Sequence, residues 1–230
     1  MRAGFATAML LATATMALAQ NPTPPAARPA GGPPANPRDL SGKWLRTTPF
    51  QKFVILDIPE DRVESLIAGL DELGLSARPS LIRRGTIACT GIEFCKLAIV
   101  ETKAYATDAV LALEERLAGI DLPHPISLHV NGCPNSCARI QTADIGLKGQ
   151  LVTIDGEQVP GYQVHLGGGL ANANREEAEL GRTVRGLKVP ADGIADYTER
   201  VVRRFLSDRD VSSDETFAQW AHRAEEDQLV

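Results

Sequence analysis

The sequence predicts an α+β fold, a mixed sheet with flanking helices. Three observations predict it. Short apolar runs of strand length alternate with stretches of helical spacing along most of the chain. The run Ile126, Leu128, Val130 alternates with Ser127 and His129 at the period of a strand. Each of the two cysteine pairs, Cys89 with Cys95 and Cys133 with Cys137, follows such a strand.

The bulk numbers suit a globular chain of 230 residues, 43% hydrophobic and 23% charged. A net charge of -5 without a Lys/Arg run argues against a nucleic-acid partner. An aromatic content of 5% argues against stacking on bases.

The first residues read differently from the rest. Arg2, the small apolar run Ala3 to Ala19 and the Ala17-Leu18-Ala19 site make residues 1–19 resemble an export signal. That run is too short and too rich in Ala and Thr for a membrane span. Residues 20–43 form a Pro/Ala/Gly-rich linker, with seven prolines between Asn21 and Arg38.

Regular structure begins near Trp44. Phe53 to Ile58 is an apolar run of strand length, and Pro59 suits the first turn of a helix. Val63, Leu66, Ile67, Leu70 and Leu73 recur at helical spacing, with Gly74 as the C-cap candidate. This β-α unit, residues 44–78, leaves a sheet edge and a helix face uncovered, which implies a partner. Residues 79–230 form the larger domain.

In that domain Arg83-Arg84-Gly85 leads into a strand, Thr86 to Ala88, that delivers Cys89. A helical region follows from Lys96 to Leu117, with a break expected near Ala106-Thr107. Pro123 and Pro125 mark a turn before the strand that delivers Cys133. A short helix is expected over Ala138 to Thr142. Strands are expected over Asp144 to Thr153 and Gly161 to Gly167, with Asp155-Gly156 between them as a hairpin turn. Gly167 to Gly169 reads either as a loop where backbone approaches a ligand or as a plain connection. A helix carrying Ile194, Tyr197, Val201 and Phe205 follows Pro190, and a last one covers Asp214 to Ala224 with Phe217 and Trp220 packing it.

The four cysteines allow three readings. Disulfides suit an exported chain. Structural zinc normally takes a C-x2-C spacing, which neither pair has. An iron–sulfur cluster takes four thiolates and tolerates unusual spacing. Gly91, Gly132 and Pro134 favour the cluster, because tight turns expose backbone N–H groups that donate to sulfur. The remaining candidates read blandly. Arg83, Arg84, Lys96 and Lys103 read as surface charge, and Glu93 and Glu101 as solvated helix carboxylates. His129 reads as structural or solvent-facing, His124 lies in a turn, and His165 is a candidate cofactor contact beside the Gly loop.

The stretch T-I-A-C-T-G-I-E-F-C-K-L-A-I-V-E-T-K, followed by L-H-V-N-G-C-P-N-S-C-A-R, resembles the sirohaem and 4Fe–4S signature of ferredoxin-dependent sulfite and nitrite reductases. The resemblance extends from about Trp44, through L-R-T-T-P-F-Q-K-F-V-I-L-D-I-P, to the C-terminus. It makes residues 44–78 part of a ferredoxin-like half-domain and residues 79–230 the sirohaem and 4Fe–4S domain. It implies that Cys89, Cys95, Cys133 and Cys137 ligate the cluster, and that Cys137 also reaches the sirohaem iron. Asn131, Asn135 and Thr90 become candidates for facing the macrocycle. The implied activity is that of an oxidoreductase, six-electron reduction of sulfite to sulfide with ferredoxin as electron donor. The alternatives are reduction of nitrite to ammonia, or a non-catalytic electron-transfer module. The chain resembles only the C-terminal half of such enzymes. Their substrate-binding basic residues lie mainly in the other half, so catalytic residues are not assignable here, activity alone is doubtful, and a second chain supplying that half is an implied partner. The family implies the cytoplasm, in conflict with the export-like segment.

Overall fold

The computed structural model describes residues 44–171 and 177–230. The export-like segment and the whole of the Pro-rich linker lie outside the described residues. The chain divides into two units between Pro79 and Ser80.

The first unit is a hairpin followed by one helix. Strands β1 (Trp44–Thr47) and β2 (Phe53–Leu56) pair antiparallel, Trp44 opposite Leu56 and Thr47 opposite Phe53. Thr48 closes the turn: its N–H donates to the Lys52 carbonyl at 2.8 Å, and its hydroxyl accepts from the Lys52 N–H at 3.2 Å. β2 is two residues shorter than its apolar run because Asp57 adopts φ +59°. A single 3₁₀ turn then feeds helix α1 (Val63–Asp71). Gly74, at φ +72°, ends it as expected, and the Leu75 N–H returns to the Leu70 carbonyl at 2.9 Å. Leu45, Phe50, Phe53, Val54, Leu73 and Leu75 are all exposed.

The second unit is a five-stranded mixed sheet in the order β3-β4-β5-β6-β7. The strands are β3 (Thr86–Ala88), β4 (Leu128–Asn131), β5 (Ile145–Ile154), β6 (Glu157–Leu166) and β7 (Arg182–Pro190). β3, β4 and β5 run parallel, while β5, β6 and β7 form an antiparallel meander. Helix α2 (Leu81–Gly85) precedes β3 and was not foreseen; the Ser80 hydroxyl caps it by accepting the Arg83 N–H at 3.0 Å. Helices α3 (Lys103–Arg116), α4 (Ile194–Asp208) and α5 (Phe217–Arg223) complete the unit.

One face of this sheet is apolar. Leu128, Val130, Ile145, Leu147, Tyr162, Val164 and Leu166 point to it and share a core with Val110 and Leu113 of α3 and Val201 and Phe205 of α4. Strand periodicity sends the intervening residues, His129, Asn131, Gly146, Lys148, Gln163 and His165, to the other face. Near α5, Phe205, Phe217 and Trp220 form a ring cluster with centroids 5.4 to 5.7 Å apart.

Three expectations need correction, and one strand was missed. The helix expected from Lys96 begins at Lys103 and runs unbroken past Thr107, whose hydroxyl donates back to the Lys103 carbonyl at 2.8 Å. Residues 96–100 leave the helix because the Ile99 and Val100 N–H groups both bond to the Gly132 carbonyl, at 2.7 and 3.2 Å. Strand β7 carries no clean alternation, since a bulge near Gly186 (φ +79°) shifts its buried residues from Val184 to Leu187 and Val189. The helix expected over Ala138 to Thr142 is one 3₁₀ turn, Ile140–Thr142.

Candidate functional site

Both cysteine loops grow from the same end of two neighbouring parallel strands. β3 and β4 pair Ala88 with Val130, and the next N–H, that of Cys89, continues the ladder onto the Val130 carbonyl at 2.9 Å. Cys89 and the Gly132-Cys133 turn therefore leave the sheet side by side. The Gly132 N–H lies 3.2 Å from Cys89 Sγ and donates to it. A side chain at Gly132 could not fit, for its Cβ would stand 2.6 Å from the Val100 carbonyl oxygen. A Cβ at Gly149, on β5, would stand 2.4 Å from the Gly132 carbonyl carbon. The close backbone approach that brings the loops together thus depends on glycine at both positions.

Each loop has its own brace. In the first, the Cys95 N–H donates to the Gly91 carbonyl at 3.0 Å, and Gly91 takes φ +72°. Beyond it the buried Thr102 hydroxyl donates to the Cys89 carbonyl at 2.7 Å, and Glu101 caps α3 through the Lys103 N–H at 2.9 Å. In the second, the fully buried Asn131 spans the loop. Its amide nitrogen donates to the Cys133 carbonyl at 2.7 Å and stands 4.0 Å from Cys133 Sγ, while its oxygen accepts the Ala138 N–H at 2.8 Å. Ser136 and Arg139 turn the chain in the left-handed region, at φ +57° and +56°.

All four cysteines are free. Cys133 is buried, Cys89 and Cys95 are half-buried, and Cys137 is exposed. Among the described residues no three Cys, His, Asp or Glu side chains converge so as to hold a single ion. The donor set fits a 4Fe–4S cluster: four free thiols on two abutting loops, with a backbone N–H already on one sulfur.

The other candidates fall variously. Asn135 and Thr90 are exposed on the two loops, whereas both ends of the Asn131 amide are used within its loop. Glu93 pairs with Lys103 at 2.9 Å, and that ammonium stands 4.7 Å from the Phe94 ring centroid. Arg83 is forked onto Glu114, away from the cysteines in role. His129 is buried with Nδ1 3.2 Å from the Arg139 carbonyl, a structural contact. His165 is buried, its Nδ1 3.0 Å from the Thr183 hydroxyl, its Nε2 without a hydrogen-bond partner among the described residues. Burial first, and the Lys148 ammonium second, hold its pKa below the usual histidine range. In the Gly167 to Gly169 loop a Cβ at Gly168 would meet the Gln141 carbonyl oxygen at 2.2 Å, so glycine there permits a close approach of backbone to backbone. Sequence reasoning missed Thr102 and Lys148. Lys148 pairs in register with Asn131 and shares its sheet face, which period 2 counted from Ile145 and Leu147 would have found.

Residues 83–230 match the family of the nitrite and sulphite reductase 4Fe-4S domain. The chain is 54% identical over 187 residues to sulfite reductase [ferredoxin] 1 of Mycolicibacterium paratuberculosis, covering 80% of this chain and 33% of that protein. It is 40% identical over 124 residues to the ferredoxin–nitrite reductase of Synechococcus elongatus, covering 54% and 24% respectively. The solved structure of the Mycobacterium tuberculosis NirA protein superposes with a TM-score of 0.75 at 53% identity, covering 81% of this chain and 34% of that one. The chain thus spans about a third of the length of the sulfite reductases it matches.

Proposed function

The chain belongs to the nitrite and sulphite reductase 4Fe-4S domain family, and on that premise we propose that it is the cluster- and sirohaem-binding C-terminal portion of a ferredoxin-dependent sulfite reductase. The family's cofactors are a 4Fe–4S cluster and sirohaem, which together supply stepwise electron delivery to a bound anion. The proposed ligands of the cluster are Cys89, Cys95, Cys133 and Cys137. The observation that carries the reading is the meeting of the two loops at the ends of β3 and β4, with the Gly132 N–H on Cys89 Sγ.

The chain's own residues divide the work. Asn131 fixes the Cys133 to Ala138 turn, and so the direction in which each sulfur leaves it. Cys137 is the exposed member, free to reach past the loop, and is the proposed sulfur shared with the sirohaem iron. Asn135 and Thr90, exposed beside it, are proposed to face the macrocycle. Lys148 supplies a positive charge on the adjoining sheet face, of the sign that a substrate anion or a macrocycle carboxylate needs. Sulfite is preferred to nitrite as substrate because the match to sulfite reductases is closer, 54% identity against 40% and 33% for two nitrite reductases.

Reduction of the anion is proposed to need the further region that the sulfite reductases carry, in the same chain or a second one. Its basic residues would neutralise the substrate. Among the described residues no helix is long and apolar enough to cross a membrane. The test is purification with iron and sirohaem supplied, followed by sulfite turnover with a reduced viologen. A sirohaem absorbance with little turnover is expected of residues 1–230 by themselves, and turnover on adding the N-terminal half of a relative. Failure to bind sirohaem in that reconstituted pair would overturn the proposal.

A further inference from the structure

Thr102 deepens the cluster reading, on which this inference rests. The side chain is fully buried where the first cysteine loop runs into α3. Its Oγ1 lies 2.7 Å from the Cys89 carbonyl oxygen and 3.7 Å from Cys89 Sγ. Both loops close on it: a Cβ at Gly91 would stand 2.7 Å from that oxygen, and one at Gly132 would stand 3.3 Å from its methyl. The backbone around it is pinned as well. The Thr102 carbonyl accepts the Ala106 N–H at 2.8 Å, and the preceding carbonyl, that of Glu101, accepts the Tyr162 hydroxyl at 2.6 Å.

A threonine hydroxyl carries one proton and two lone pairs. With Cys89 as a thiol, the S–H faces Oγ1 and the hydroxyl proton goes to the Cys89 carbonyl. As a thiolate, Cys89 loses its donor, and its sulfur then competes with its own carbonyl for that one proton. We infer that Thr102 is a positioning residue that sets the cluster's reduction potential, its hydroxyl joining the Gly132 N–H as a donor to the Cys89 thiolate. Donors to a ligating sulfur favour the more negative, reduced state of the centre and raise its potential. Nothing in the cysteine spacing assigns Thr102 this part.

The test is an EPR-monitored reductive titration of the full chain, reconstituted with ferrous iron and sulfide, as wild type, Thr102→Val and Thr102→Ser. Valine keeps the volume and removes the proton, whereas serine keeps the proton and removes a methyl. At the wild-type midpoint, the ratio of reduced to oxidised cluster is expected to fall about fivefold in the valine variant, a shift of about 40 mV for one electron. The serine variant is expected to stay near wild type. Should valine prevent assembly, Thr102→Ala is read against serine in the same way. Equal midpoints at matched iron content overturn the inference, as does a serine variant shifted as far as valine. A wild-type chain that takes up no iron overturns the cluster reading itself, an outcome distinct from a cluster whose potential ignores Thr102.

Discussion

At the scale of single residues, the second loop places opposite demands on neighbouring positions. Cys133 is buried and Cys137 exposed, with Asn131 holding the turn between them from below. Replacing Asn131 with Ala would leave the Ala138 N–H buried without an acceptor. The expected cost is about 1–3 kcal/mol of stability, measured by urea unfolding, with a matching loss of bound iron. Replacing Cys133 or Cys137 with Ser should abolish stable cluster assembly, seen as iron falling well below about four per chain. The cysteines, with the small residues around them, were legible in the sequence because their chemistry is rare and local. Asn131 was legible only as a polar residue near the pair. Its task, bracing the loop from within, depends on a hydrogen-bond geometry that no spacing encodes. Thr102 was hidden for a related reason: thirteen positions separate it from Cys89, and only the collapse of the first loop onto Gly132 brings the two together.

At the scale of elements, the strands that deliver the cysteines read well from alternation, and the segments between them did not. Residues 96–100 have helical spacing, yet two of their N–H groups are drawn to the Gly132 carbonyl instead. A tertiary contact thus outweighs local propensity by supplying the same hydrogen bonds elsewhere. β7 was missed because its bulge interrupts the period on which strand recognition relies. The packing of the 3₁₀ turn onto β5 gives a direct check. A Cβ at Gly146 would stand 2.0 Å from the Ile140 carbonyl oxygen, so Gly146→Ala should destabilise the fold by about 1–3 kcal/mol, again by urea unfolding. The C-terminal helix offers a pH test. Glu215 is buried, accepts both the Arg223 guanidinium and the Asp210 N–H, and is held below its ordinary value of 4.5, chiefly by the Arg223 hydrogen bond. A carboxylate with a depressed folded-state pKa stabilises the fold above its unfolded value, and that contribution is lost as the pH falls through the folded one. Thermal midpoints of the wild type should therefore drop more steeply below pH 4.5 than those of Glu215→Gln, whose loss should already be present at pH 7. Parallel slopes in the two proteins would contradict this role.

At the scale of the whole chain, the second unit has a continuous core and a defined sheet, whereas no apolar side chain between Leu45 and Ala77 is fully buried and Leu45, Phe50, Phe53, Val54, Leu73 and Leu75 are exposed. An incomplete β-α unit was foreseeable from the order of elements alone, since one hairpin and one helix cannot enclose a core. What covers it was not. The central claim is that the two abutting loops hold a 4Fe–4S cluster, and it is most directly tested by iron and acid-labile sulfide analysis of the anaerobically purified chain. About four irons and four sulfides per chain, with a broad visible absorbance that bleaches on reduction, is the expected result. An iron-free, colourless protein whose four cysteines titrate as disulfides, or one that carries a single zinc, would contradict it.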